Sequence, residues 1–103
     1  FLETSLLEAG LAWSIWEFGA WFGGGEKPTA TGTRHRRSAP YQAFRSKDGY
    51  VTVGASGDKL WRAFVNQVCD KPAWLDDPRF ATNPQRVRNI AELSEMLRDL
   101  FGR

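Results

Sequence analysis

The chain has 103 residues, 42% of them hydrophobic and 25% charged, with a formal net charge of +2. That apolar share argues against intrinsic disorder over most of the chain, and so small a charge makes no case for a nucleic-acid partner. Cys69 is the single cysteine, which excludes an internal disulfide and a cysteine zinc site, and a lone free thiol fits a reducing cytosol. The length suits one modest domain or part of a larger one. Five tryptophans and seven phenylalanines are many for this length, so partner surface is expected as well as core. The sequence opens on Phe1-Leu2-Glu3 with no basic region ahead of its first apolar run, so no signal peptide is expected and the opening reads as the middle of an element.

Phe1 to Phe22 reads as one helix. Leu7, Leu11, Ile15 and Phe18 recur at spacings of three and four, and Trp13, Trp16 and Trp21 widen the apolar surface. A membrane span would enclose Glu8 and Glu17 within about 20 residues, where each charge is costly, so a helix covered on most sides by protein is preferred. Gly23-Gly24-Gly25 ends it, because glycine takes the left-handed cap conformation readily. Residues 23–39 are rich in Gly, Thr, Pro and Arg and lack apolar periodicity, which marks an extended connector. Its Gly-Gly-Gly-Glu-Lys run is no phosphate loop, since the Gly-Lys-Ser/Thr ending and a preceding strand are missing.

Ala39 to Ala55 is expected to form a β-hairpin. Tyr41 to Phe44 enters the turn, Ser46-Lys47-Asp48-Gly49 makes it with Gly49 supplying positive φ, and Tyr50 to Ala55 leaves it in alternating pattern. Pro40, which has no N–H, suits the start of the first strand. A helix capped by Ser56 or Asp58 follows over 59–69, with Leu60, Phe64, Val65 and Val68 inward and Trp61 beside them. Asp70-Lys71-Pro72 stops it. Asp76 to Phe80 reads as a turn with Trp74, Leu75 and Phe80 inward. Asn83-Pro84 starts a short helix, and Ile90, Leu93, Met96, Leu97, Leu100 and Phe101 form a final helical stripe. The fold class is α+β: an N-terminal helix and a connector, then a hairpin packed by two or three helices.

Chemistry is sparse. His35, the only histidine, lies in Arg34-His35-Arg36-Arg37 inside the connector. Two readings stay open there: a solvated basic loop, or an anion site in which arginine contacts phosphate or carboxylate. Ser38 and Ser46 have no evident base partner, and no nucleophile elbow is present. Cys69 reads as a buried structural thiol, and Asp76 and Asp77 beside Pro78 as turn residues. Glu3, Glu8 and Glu17 share no tight face, so no metal site is expected. Arg86 and Arg88, beside Asn83 and Asn89, read as holders of loop backbone rather than of substrate.

Several ordered segments resemble one family, the class III CoA-transferases, named after carnitine and bile-acid CoA-transferases. Ser5-Leu6-Leu7-Glu8-Ala9 is similar to its SLLEA helix. Gly32 and His35, followed by Pro40-Tyr41-Gln42-Ala43-Phe44, resemble its G-x-x-H…PYQ-x-F segment. Lys47 to Val51 matches its hairpin turn, and Trp61 an aromatic position in the next helix. Asp77-Pro78-Arg79-Phe80 with Asn83, Arg86 and Asn89 resembles its DPRF…N-x-x-R-x-x-N run. The likeness covers nearly the whole chain, and its specificity lies in the ordered set.

The resemblance implies an enzyme moving coenzyme A between carboxylic acids through an aspartyl acyl-enzyme, in a dimer of interlocked ring-like chains. It implies acyl-CoA and carboxylic acid substrates, no bound cofactor, no membrane or nucleic-acid partner, and a cytoplasmic location. On that map residues 1–22 are a helix leaving a large domain, 23–39 an interdomain linker, and 40–103 the N-terminal part of a small α/β domain. The family's nucleophilic aspartate lies upstream of its SLLEA helix, and no Asp here matches it, so no catalytic residue is assigned. Gly32, Arg34, His35, Pro40 and Tyr41 are the implied acyl or CoA pocket residues. The racemase branch, which epimerises 2-methylacyl-CoA, shares the fold and remains an alternative. So does a non-catalytic binding module docking through the Trp-rich helix.

Overall fold

Ser5 opens the first helix for a local reason that the apolar pattern does not carry. Its hydroxyl accepts the Glu8 N–H at 3.2 Å, while the Glu8 carboxylate accepts the Ser5 N–H at 2.8 Å. This is a capping box, and it accounts for the Ser-Leu-Leu-Glu motif physically. The computed structural model describes residues 1–102 and divides the chain into two compact units, Phe1–Ala30 and Thr31–Arg103. Among the described residues there are five α-helices and one two-stranded antiparallel sheet, the α+β class expected.

In the first unit the single helix expected over 1–22 is two helices, α1 (Leu6–Trp13) and α2 (Ile15–Gly24). The break is at Ser14, whose hydroxyl donates to the Gly10 carbonyl at 3.0 Å and whose backbone leaves helical geometry. Serine hydroxyls compete with the helical ladder in this way. The expected glycine stop is present: Gly25 has φ +68° and donates to the Trp21 carbonyl at 2.9 Å. Leu7, Leu11 and Ile15, expected under cover, are exposed in this chain, as are Trp13 and Trp16.

In the second unit, β1 (Tyr41–Arg45) and β2 (Tyr50–Gly54) pair with Phe44 opposite Val51 and Gln42 opposite Val53. Ser46 N–H donates to the Gly49 carbonyl at 2.9 Å to close the four-residue turn. Gly49 does not have positive φ, contrary to expectation; four-residue loops are commonly built on a type I turn, which needs none. Gly54 is the close approach in the hairpin: a Cβ there would sit 3.1 Å from the half-exposed Tyr41 ring, which would have to shift slightly. Pro40 is buried and follows a cis peptide bond.

The next helix, α3 (Asp58–Phe64), is capped by the Gly57 backbone rather than by a Ser56 or Asp58 side chain. It runs on as a π-turn over Val65–Cys69 and ends at Asp70 in the left-handed region. The expected inner face is corrected: Trp61, Val65 and Cys69, at spacings of four, are buried, while Leu60 and Val68 face outward. A 3-10 turn at Pro72–Leu75 leads to α4 (Asn83–Arg88), whose Thr82 and Gln85 form a second capping box. The last helix, α5 (Ile90–Phe101), buries Leu93 and Leu97. One core joins them: Phe44, Val53 and Ala55 of the hairpin meet Trp61, Val65, Cys69, Phe80, Leu93 and Leu97.

Candidate functional site

The connector residues 31–40 have no regular structure, yet they are held at many points. Gly32 has φ +65° in a turn closed by Arg34 N–H donating to the Thr31 carbonyl at 3.3 Å. Only a residue that tolerates the left-handed region fits this turn without strain. The chain then runs beside β1. The Thr33 hydroxyl accepts the Ala43 N–H at 3.1 Å, and His35 N–H donates to the Tyr41 carbonyl at 2.9 Å. These occupy outward-facing groups of β1, since the inward ones pair with β2.

From the other side the connector is held by α4. Asn83 accepts the Ala39 N–H at 3.0 Å and donates to the Arg37 carbonyl at 2.9 Å. Arg86 is fully buried and donates to three carbonyls: Ala39 at 2.9 Å, Phe80 at 2.9 Å and Ser56 at 2.6 Å. Its guanidinium lies 5.0 Å from the Trp61 ring centroid and 3.5 Å from the Asp58 carboxylate. Burial pulls its pKa below the ordinary arginine value, against the opposing pull of Asp58. The buried Trp61 indole N–H next to it has no hydrogen-bond partner among the described residues. Asn89 completes the series by donating to the Arg79 and Gln85 carbonyls. The Asn-x-x-Arg-x-x-Asn spacing is therefore a backbone clamp, as expected for Arg86. Arg88 is exposed and takes no such place. That the clamped backbone belongs to the connector had no signal in the sequence, because the contacts reach back 44 to 47 positions.

Four of the five sequence-predicted residues lie along this clamped segment, and Tyr41 is the first residue of β1 beside it. Gly32 forms its turn, and Pro40 is its buried end. The His35 ring meets the Tyr41 ring edge-on at 5.4 Å, and its Nδ1 accepts the Arg37 N–H at 3.1 Å. In the neutral ring the proton is thereby placed on Nε2. Arg34 and His35 line a cleft of about 200 Å3 with Arg36, Ser38, Ala39, Val87 and Ile90. Its polar groups are chiefly hydrogen-bond donors, suited to an anionic group.

Other candidates take structural places. Burial pushes the Cys69 thiol up to about 11, as a structural thiol requires. The Asp77 carboxylate accepts the Arg79 backbone N–H at 2.9 Å and the Arg79 guanidinium at 2.6 Å, which holds its pKa below the ordinary value. Arg79 also pairs with Glu92 and lies over the Phe80 ring. Among the described residues no three His, Cys, Asp or Glu side chains are grouped to hold a metal ion. No helix among them is long and apolar enough to cross a membrane.

The chain has recognisable relatives. A family model described as CoA-transferase family III matches residues 1–103. Human succinyl-CoA:glutarate CoA-transferase is 34% identical over 101 residues, covering 98% of this chain and 23% of that protein. The succinate–glutarate CoA-transferase of Agrobacterium fabrum is 29% identical over 73 residues, or 71% of this chain and 18% of its own length. Among solved structures, a CaiB/BaiF family protein from Brucella suis superposes with a TM-score of 0.71 at 27% identity, covering 85% of this chain and 23% of that one. Rv3272 from Mycobacterium tuberculosis gives 0.76 at 22% identity over 98% of this chain and 24% of its own, a likeness of fold. The chain spans about a quarter of the length of these curated relatives.

Proposed function

Since this chain belongs to the CoA-transferase family III, we propose that it is part of an enzyme that moves coenzyme A between carboxylic acids. The observation that carries the reading is the family match over all 103 residues. The clamped connector supports a role for this segment in the site: it brings Arg34 and His35 to one cleft.

In this reading an aspartate outside residues 1–103 is the nucleophile. Its carboxylate attacks the thioester carbonyl of the acyl-CoA donor, forming a mixed anhydride and expelling the CoA thiolate. The thiolate then attacks the aspartyl carbonyl, releasing the donor acid and leaving an aspartyl-CoA thioester. The acceptor carboxylate reverses both steps and leaves as the new acyl-CoA. Each step handles a carboxylate or a thiolate, so fixed cations and N–H donors lower its barrier. Arg34 and His35 would supply them, Tyr41 would orient the His35 ring, and Gly32 and Pro40 would shape the pocket wall.

Residues 1–22, which hold α1 and most of α2, are assigned to the stretch leaving a large domain, 23–39 to a linker and 40–103 to the start of a small domain. The whole protein is read as a cytoplasmic homodimer. The transferase names of the curated relatives favour transfer over epimerisation.

The test is an assay of the complete gene product with succinyl-CoA and a panel of carboxylic acid acceptors. Acceptor-dependent formation of a new acyl-CoA is the expected result. Loss of chirality in a 2-methylacyl-CoA without any acceptor would establish the racemase reading instead. An intact gene product with the mass of this chain alone would support a non-catalytic module. His35→Ala in the complete enzyme is expected to lower kcat/KM about tenfold, the worth of one lost hydrogen bond to a charged group; unchanged kinetics for both substrates would remove His35 from the site.

A further inference from the structure

Arg34 also stands on the wall of a second cleft, of about 400 Å3, with Thr33, Gln42, Ser94, Glu95 and Arg98 among its lining. Ile90 is common to both clefts, so Arg34 and Ile90 form the ridge between them. The floor of the second cleft is rigid and polar. Gln42 Nε2 donates to the Ser94 hydroxyl at 3.3 Å, and both residues are buried. On the rim, Thr33 uses its oxygen to accept the Ala43 N–H, which leaves its own O–H to donate.

The arginines here differ from Arg79 and Arg86 in their pairing. Arg79 is matched by Asp77 and Glu92, and Arg86 by three carbonyls and Asp58. Among the described residues, neither Arg34 nor Arg98 has an ion pair or a side-chain hydrogen bond, and Glu95 has none either. Two guanidinium groups thus line one cleft with a single carboxylate. Both forks and the Thr33 hydroxyl are donors, and planar guanidinium groups match oxyanions in a bidentate manner.

We propose that this second cleft binds an oxyanion, carboxylate or phosphate, between Arg34 and Arg98, with Thr33 donating from the rim. Glu95 sets its selectivity by opposing a higher negative charge. The cleft's chemistry stands apart from the transferase reading, and its failure would leave that reading intact.

The experiment titrates the isotopically labelled 103-residue chain with inorganic phosphate and, separately, with succinate, at ionic strength held constant by chloride. The signals followed are the side-chain Nε–H groups of Arg34 and Arg98 and the amides of Thr33 and Ser94. Saturable shifts at all four places are expected. Arg98→Gln weakens binding about tenfold or more, the scale of a lost charge-assisted pair. Arg98→Lys keeps part of it, and Glu95→Gln tightens it about threefold, from one removed repulsion at the surface. Arg88→Gln, an exposed arginine on α4 outside the cleft lining, leaves it unchanged. Saturation by phosphate alone would identify a phosphate-bearing ligand, and by succinate alone a carboxylate ligand. Shifts that fail to saturate with either probe, or that persist undiminished in a folded Arg98→Gln chain, overturn the proposal.

Discussion

The two compact units carry apolar residues of similar kind and place them oppositely. From Thr31 onward, hairpin and helices close on one core in which Val65, Phe80, Leu93 and Leu97 are fully buried. In Phe1–Ala30, Leu7, Trp13, Ile15 and Trp16 are exposed, and Ala20 is the one buried residue of the two helices. Local signals are sound in both: α1 and α4 each start on a capping box. The difference is a further layer. A helix or hairpin buries its apolar face only against another element, and two short helices alone supply too little. Periodicity announces which side of a helix wants cover, while the cover itself depends on what else folds beside it.

The sharpest way to break this comparison is to remove Arg86. Arg86→Ala leaves three buried carbonyls and the Asp58 carboxylate without their cation, and unfolding by urea is expected to show a loss of about 3–5 kcal/mol. Leu97→Ala should cost about 2–5 kcal/mol by the same measurement, from lost burial and the cavity left behind. Leu7→Ala, the matching deletion in the first unit, is expected to change the stability of this chain by no more than about 0.5 kcal/mol. If Leu7→Ala matched Leu97→Ala, the contrast between the units would fail. Ser5→Ala should lower α1 helicity, read by circular dichroism, at a cost of about 1 kcal/mol.

Titration sharpens the same contrast at smaller scale. Cys69 is pushed from 9.0 to about 11 when folded, so its contribution is complete below the unfolded value and is lost as pH rises through that window. Alkylation of native chain should therefore be slow at pH 8 and should accelerate on unfolding; fast alkylation of the folded chain would refute a structural thiol. Asp77 runs the other way. Its folded pKa is lowered by Arg79, so its contribution is present above the unfolded value and disappears as pH falls through the folded one. Asp77→Asn should flatten the acid limb of the stability curve slightly, since the pair is at the surface.

How much of this was readable in the residues follows from the range of each interaction. The hairpin, the glycine stop at Gly25 and the stripe of α5 depend on neighbours a few positions away, and they stand where pattern and turn chemistry put them. The break at Ser14 is equally local, but a hydroxyl returning to the preceding turn is silent in a hydrophobicity pattern. Leu60 and Val68 were misplaced because this helix carries two offset sets of apolar residues four apart, Leu60-Phe64-Val68 and Trp61-Val65-Cys69, and the core takes the second. At the candidate site, Arg34 and His35 could be named from composition and family likeness. Asn83 gave no sign of its connector partner, and Arg98 none of its place on the same cleft as Arg34. Tertiary folding alone brings those together.

The long reach of the α4 clamp has a consequence for how the protein is made. Residues 37 and 39 are synthesised well before residues 83 and 86, which hold them. At about 5–20 residues per second, the connector waits some seconds for its clamp during vectorial synthesis. Over that interval the Thr33 and His35 bonds to β1, which span 10 and 6 positions, are the contacts it can already make. The nascent hairpin therefore gains a protected edge early, and the candidate site reaches its final shape only after α4 has emerged.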